Sequence, residues 1–150
     1  MRYVEFRDAI YRELRRIPGG LTCGSSGRCS IRRPEVARLY HITSAAEARE
    51  AGKTGVYEPA AFAREGFIHC SYAYQVAATA NRIFRGRPDL VLLEIDPAGL
   101  DCPVVDENLE GGVELFPHIY GRLNMSAVIR VRDFPCDSAG EFRPTLTLPE

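Results

Sequence analysis

Between Asp89 and Asp96 stands the run Leu90-Val91-Leu92-Leu93-Glu94-Ile95, apolar at nearly every position. A short, almost continuous apolar segment closed by turn-forming residues, here Asp96-Pro97-Ala98-Gly99, reads as a central strand. A sheet therefore has to be built around it. Further strands are expected at Arg38 to Thr43, Phe67 to Cys70, Cys102 to Val105, Val113 to Tyr120 and Ala127 to Val131. Val113 to Tyr120 reads as an edge or bulged strand, because Pro117 has no N–H to give to a ladder. Three short helices fall among the early strands. Ser44 with Glu47 makes a capping-box pattern opening a helix through Ala51, closed by Gly52 and Gly55. Pro59 suits the first turn of a second helix, which Gly66 ends. Ser71 can cap a third, with Val76, Ala80 and Ile83 on one face and Gly86 and Pro88 as stop signals. The sum is an α+β domain with a mixed or antiparallel sheet.

Outside this alternation the chain changes character. Tyr3, Phe6, Ile10, Leu14 and Ile17 fall at helical spacing, with arginines mostly off that stripe. They predict an N-terminal amphipathic helix ended by Pro18-Gly19-Gly20. The Gly/Ser-rich stretch Thr22 to Ser30 reads as a linker, so residues 1–33 are expected as an appendage and residues 34–150 as the main domain. After Phe134 the prolines 135, 144 and 149 suggest an extended tail.

The 150 residues suit one domain with a real core. A net charge of -1 gives no support to a general nucleic-acid surface. No run approaches the ~20 apolar residues needed to span a bilayer, and the first residues lack the apolar stretch of a signal peptide. A cytoplasmic protein is expected. The five cysteines, odd in number and irregularly spaced, read as reduced thiols rather than a disulfide framework.

All three histidines stand in strand-like segments: Leu39-Tyr40-His41-Ile42-Thr43, Gly66-Phe67-Ile68-His69-Cys70-Ser71 and Glu114-Leu115-Phe116-Pro117-His118-Ile119-Tyr120-Gly121. Backbone pairing would hold each imidazole rigidly. If the strands converge, the chain has a site; if not, it has three ordinary buried histidines. His69 and Cys70 are strand neighbours and point to opposite faces, so Cys70 is expected in the core. Glu114 and His118 share a face if their strand is regular. Tyr57 and Tyr120 could stack on a base or pack in the core, and packing is the better reading. Asn81 stands in a helical pattern, where it can bond a neighbouring loop or reach a cleft. Asp106, Glu107 and Glu110 read as a solvated loop face.

Tyr40-His41-Ile42-Thr43, Tyr57-Glu58-Pro59, the GFIHCS phrase from Gly66, Asn81-Arg82, the apolar run from Leu90 and the ELFPH phrase from Glu114, continuing to Tyr120-Gly121, occur in one order. Together, over roughly residues 38–132, they resemble the DUF952 family of small proteins of unknown function. The resemblance implies an ADP-ribosyltransferase-like fold, related to tRNA 2′-phosphotransferase, in which NAD lies between two small sheets. By that likeness His41 would hold the ribose beside nicotinamide, His69 would take the second-strand position, and Glu114 or His118 would complete the catalytic set. Tyr57, Asn81, Arg82 and Arg122 would contact the nucleotide, the arginines suiting phosphate geometry. NAD is thus the candidate substrate, the acceptor is unassigned and no metal is expected. A glycine-rich dinucleotide fingerprint is missing from the sequence, which argues against a Rossmann mode. Two other readings stay open. One is a binding module that keeps the cleft without catalysis. The other is metal-assisted hydrolysis through His41, His69 and His118.

Overall fold

The computed structural model describes residues 37–109 and 111–143. The helix and linker expected in residues 1–33 lie outside them. In chain order the elements are β1 (Leu39–Ser44), α1 (Ala45–Thr54), β2 (Val56–Tyr57), α2 (Phe62–Glu65), β3 (Ile68–His69), α3 (Val76–Ile83), β4 (Leu90–Ile95), β5 (Val104–Glu107), β6 (Phe116–Ile119), β7 (Leu123–Asn124) and β8 (Val128–Asp133). Single 3-10 turns at Pro97–Gly99 and Met125–Ala127 complete the order. The pairings among the described residues are antiparallel and form three small sheets, β1-β4-β8, β3-β6-β5 and the pair β2-β7.

The apolar run becomes β4, the middle strand of its sheet, and all six of its residues are buried. Alternation sends Val91, Leu93 and Ile95 to one side, where they meet Leu39, Ile68, Ile119, Leu123 and the helix residues Ala48 and Ala51. Leu90 and Leu92 face the other side with Ile42, Val76, Ala80, Phe134 and Phe142. Burying a side chain such as that of Leu93 stabilises the fold by roughly 1.5–3 kcal/mol. Glu94 is the polar member of the run. It is tolerated because Arg38 and Arg132 each reach one of its carboxylate oxygens at 3.0 Å.

Local signals set the helix ends. Ser44 accepts from the Glu47 N–H and Glu47 reaches back to the Ser44 N–H, completing the capping box. The helix runs past Gly52 to Thr54, and Gly55 caps it at φ 80°. Gly66 caps α2 at φ 77°, a left-handed conformation that costs glycine nothing. Ser71 does not cap α3. It pairs instead with Tyr40 through two backbone hydrogen bonds of 2.8 and 2.9 Å, which tie the β1 sheet to the segment after β3.

Two expectations about strands are corrected. β6 is the middle strand of its sheet rather than an edge. Cys70 N–H donates to the Pro117 carbonyl at 2.9 Å, so the missing proline N–H points to the same side. β3 has already ended at His69 there, and no ladder bond of that strand is lost. Of the extended tail expected after Phe134, residues 135–143 are described and are held to the core at Phe142; Pro144 and Pro149 lie outside the described residues. Phe134 and Phe142 are buried and stack at 4.9 Å, and Asn81 clamps Phe142 with two bonds to its backbone, 2.7 and 2.9 Å. Cys70, Cys102 and Cys136 are thiols; Cys23 and Cys29 lie outside the described residues. Among the described residues no helix is long and apolar enough to cross a membrane.

Candidate functional site

The three histidine strands converge. β1 supplies His41, β3 supplies His69, and β6 supplies His118, which stands directly opposite His69 in the ladder. All three line one cleft of about 430 Å³, within the ~300–1,000 Å³ usual for small-molecule sites. The cleft lies where the β1-β4-β8 and β3-β6-β5 sheets meet, beside the Tyr40–Ser71 bridge.

His41 forms the inner wall. Its Nδ1 is 2.6 Å from the His69 carbonyl, and a carbonyl only accepts, so Nδ1 carries the proton. Its Nε2 is 2.8 Å from the Tyr57 hydroxyl, which also lies 3.0 Å from the Thr43 hydroxyl. Thr43 in turn donates to Glu47 at 2.9 Å. Burial pushes the His41 imidazole down to about 4, against a smaller opposing pull from the His69 carbonyl. It is therefore neutral at pH 7; the one proton of the Tyr57 hydroxyl is donated to Thr43 or, in its place, to Nε2 of His41. Burial pushes the Tyr57 hydroxyl up to about 12, so it stays a donor.

His69 and His118 form a second group. Nδ1 of His69 lies 3.1 Å from Nε2 of His118. At the outer end, Nε2 of His69 is 3.1 Å from Glu65 Oε2. At the inner end, Nδ1 of His118 is 3.7 Å from Glu107 Oε1, which also accepts from the Tyr120 hydroxyl. The edge of Phe67 meets both rings, with centroids 4.8 Å away, and fixes their tilt. His118 is buried, whereas the His69 side chain is 46% exposed and opens to solvent. Arg82 and Arg87 lie on the cleft lining, the latter paired with Asp89 at 2.9 Å.

Residues 42–131 match the family described as Protein of unknown function (DUF952). The chain belongs to the DUF952 family. Among solved structures it is similar to the protein CC0527 from Caulobacter crescentus. The crystal structure is 36% identical, covers 71% of this chain and 93% of that chain, and superposes with a TM-score of 0.64. The solution NMR structure of the same protein is 38% identical, covers 72% and 91%, and gives a TM-score of 0.60. No curated protein matches.

In this DUF952 chain the cleft brings together His41, His69, His118, Tyr57 and Arg82 of the residues singled out in the sequence. Three others stand elsewhere. Glu114 is exposed and precedes β6, so strand alternation does not place it beside His118. Asn81 is committed to the Phe142 backbone. Arg122 is exposed and pairs with Glu58 at 2.5 Å. The carboxylates that line the cleft are Glu47, Glu65 and Glu107. Glu107 corrects the reading of a solvated loop: it belongs to β5 opposite Phe116, on the face that carries Val105 and His118. Its one sequence signal was the two-residue spacing from Val105. Cys70 is buried as expected, and burial raises its thiol far above the ordinary value. Among the described residues no three His, Cys, Asp or Glu side chains could hold a metal ion together. The geometry explains this, since His41 aims its nitrogens at a carbonyl and a phenol, and the other two rings aim at each other.

Proposed function

We propose that the cleft binds a nucleotide of the NAD type within an ADP-ribosyltransferase-like fold, and that it breaks the nicotinamide–ribose bond to pass the ribosyl group to an acceptor. The observation that carries this reading is the solvent-facing His69–His118 pair, held between the carboxylates of Glu65 and Glu107. Cleaving that bond develops positive charge on the ribose. Carboxylates close by, in a cleft walled by Phe67 and Phe116, stabilise such a charge. Arg82 and Arg87 on the lining supply the donors a pyrophosphate needs. His41 differs in role from the one the family likeness implied. Both of its nitrogens are taken by the protein, so in this reading it is a positioning residue that anchors the backbone of His69.

Proton NMR of NAD mixed with the purified chain tests the proposal. Broadened NAD signals with free nicotinamide growing over hours is the expected result. Broadening with no nicotinamide would replace the enzyme with a binding module. Unchanged signals at millimolar NAD would sink the nucleotide reading.

A further inference from the structure

Glu47 completes the cap of α1 and also lines the cleft, and the cap engages only one of its two carboxylate oxygens. Oε2 takes the Ser44 hydroxyl at 2.8 Å, the Thr43 hydroxyl at 2.9 Å and the Ser44 N–H at 3.4 Å. Among the described residues none donates to Oε1. The other two carboxylates of the cleft are differently placed. Glu65 gives Oε1 to Arg64 and Oε2 to His69. Glu107 is turned to the Tyr120 hydroxyl and to the buried ring of His118. Glu47 thus combines an oxygen that is held with an oxygen that is open.

The strand sets its orientation. Thr43 and Ser44 end β1, and Thr43 lies 3.0 Å from the Tyr57 hydroxyl, which in turn meets His41. The open oxygen is therefore tied to the inner wall of the cleft. Partial burial pushes the carboxyl up, but hydrogen bonds from Ser44 and Thr43 outweigh it and hold the group below its ordinary value, so it is ionised at pH 7. An ionised carboxylate oxygen only accepts. It suits hydroxyls, which donate, and its lone pairs can serve two of them. A phosphate oxygen also only accepts and would be repelled, whereas Arg82 and Arg87 stand on the same lining as donors. A group already held in place loses little freedom when a ligand arrives. Carboxylates take up ribose hydroxyls in this way in dinucleotide sites of another fold.

We propose that Glu47 selects the sugar of the ligand: Oε1 accepts the vicinal hydroxyls of a ribose, so the cleft discriminates ribose from deoxyribose. The inference rests on the nucleotide reading given above and names the part of the ligand that this residue holds. Glu47 contacts the ligand, whereas Thr43 and Ser44 are positioning residues that keep its other oxygen in place.

NMR titration of the unaltered chain and of Glu47→Gln decides it. The probes are NAD and ribose 5-phosphate, the piece common to both halves of NAD, each beside its 2-deoxy form. Glutamine serves a capping box as glutamate does. The Thr43 and Ser44 hydroxyls would claim its carbonyl oxygen, which leaves an N–H donor where Oε1 stood. The unaltered chain should bind the ribose form about 10-fold or more tighter than the deoxy form. Glu47→Gln should lose about that factor for the ribose form and no more than about 2-fold for the deoxy form. Equal binding of the two forms by the unaltered chain overturns the proposal, and that test needs no variant to fold. Equal losses for both forms in Glu47→Gln also overturn it, because the change would then act through the fold. A Glu47→Gln chain that binds NAD as the unaltered chain does overturns it too, while the nucleotide reading stands. Ribose 5-phosphate bound with the expected discrimination, with NAD left unbound, would instead strike the nucleotide reading and leave Glu47 in its role. An unaltered chain that binds none of the probes overturns both.

Discussion

His41 shows how one buried ring couples the cleft to the stability of the fold. Burial lowers its folded-state value from 6.5 to about 4, so between those values the unfolded chain binds the extra proton and the folded chain does not. Stability from this residue is therefore complete above pH 6.5 and is lost as pH falls toward 4. The full effect is on the order of 3 kcal/mol. Glu47 and Glu65 have their carboxyls held below 4.5 by neighbouring hydroxyl and Arg64 hydrogen bonds respectively, and their losses begin only below that value. His41→Gln keeps a donor for the His69 carbonyl and an acceptor for Tyr57 but does not titrate. Denaturant melts from pH 7 to 4.5 should then show the unaltered chain weakening by about 2–3 kcal/mol more than the variant. Parallel curves would mean that the ring is not held neutral by burial.

Among the elements, the short helices and turns deliver the chain to the site, and Gly66 is the sharpest example. At φ 77° it turns α2 toward Phe67 and the strand bearing His69. Gly66→Ala should cost about 1–2 kcal/mol and reduce binding in the cleft, measured by thermal melting and by NAD titration. Unchanged melting would show that the turn relaxes without strain. This turn was legible in the sequence, as were the capping box at Ser44 and the buried strand at Leu90, because each is written in residues within one turn or strand of one another. The convergence of the histidine strands was legible only as a condition. Glu65 and Glu107 were not identified, since Glu65 ends a helix and meets His69 in a strand across the Gly66 turn, and Glu107 meets His118 across the loop between two strands. Pro117 misled for a related reason: a missing N–H excludes a central strand only where the neighbouring strand continues past it.

At the scale of the whole molecule Phe134 and Phe142 belong to the core and hold the stretch between them against it. Phe142 is 3% exposed, stacked on Phe134 and clamped by Asn81. Phe142→Ala should lower stability by about 3–5 kcal/mol, seen as a shifted denaturation midpoint with an unchanged slope. A loss under 1 kcal/mol would show that the segment is dispensable packing. The ladder that sets His69 opposite His118 joins residues 49 positions apart, and the His41 anchor spans 28. Closing such intervals is slow and unfavourable until both strands are in place. The cleft is therefore a long-range product of the chain: a copy cut short before β6 lacks both His118 and the strand that holds His69 in register, and so has no cleft of this shape.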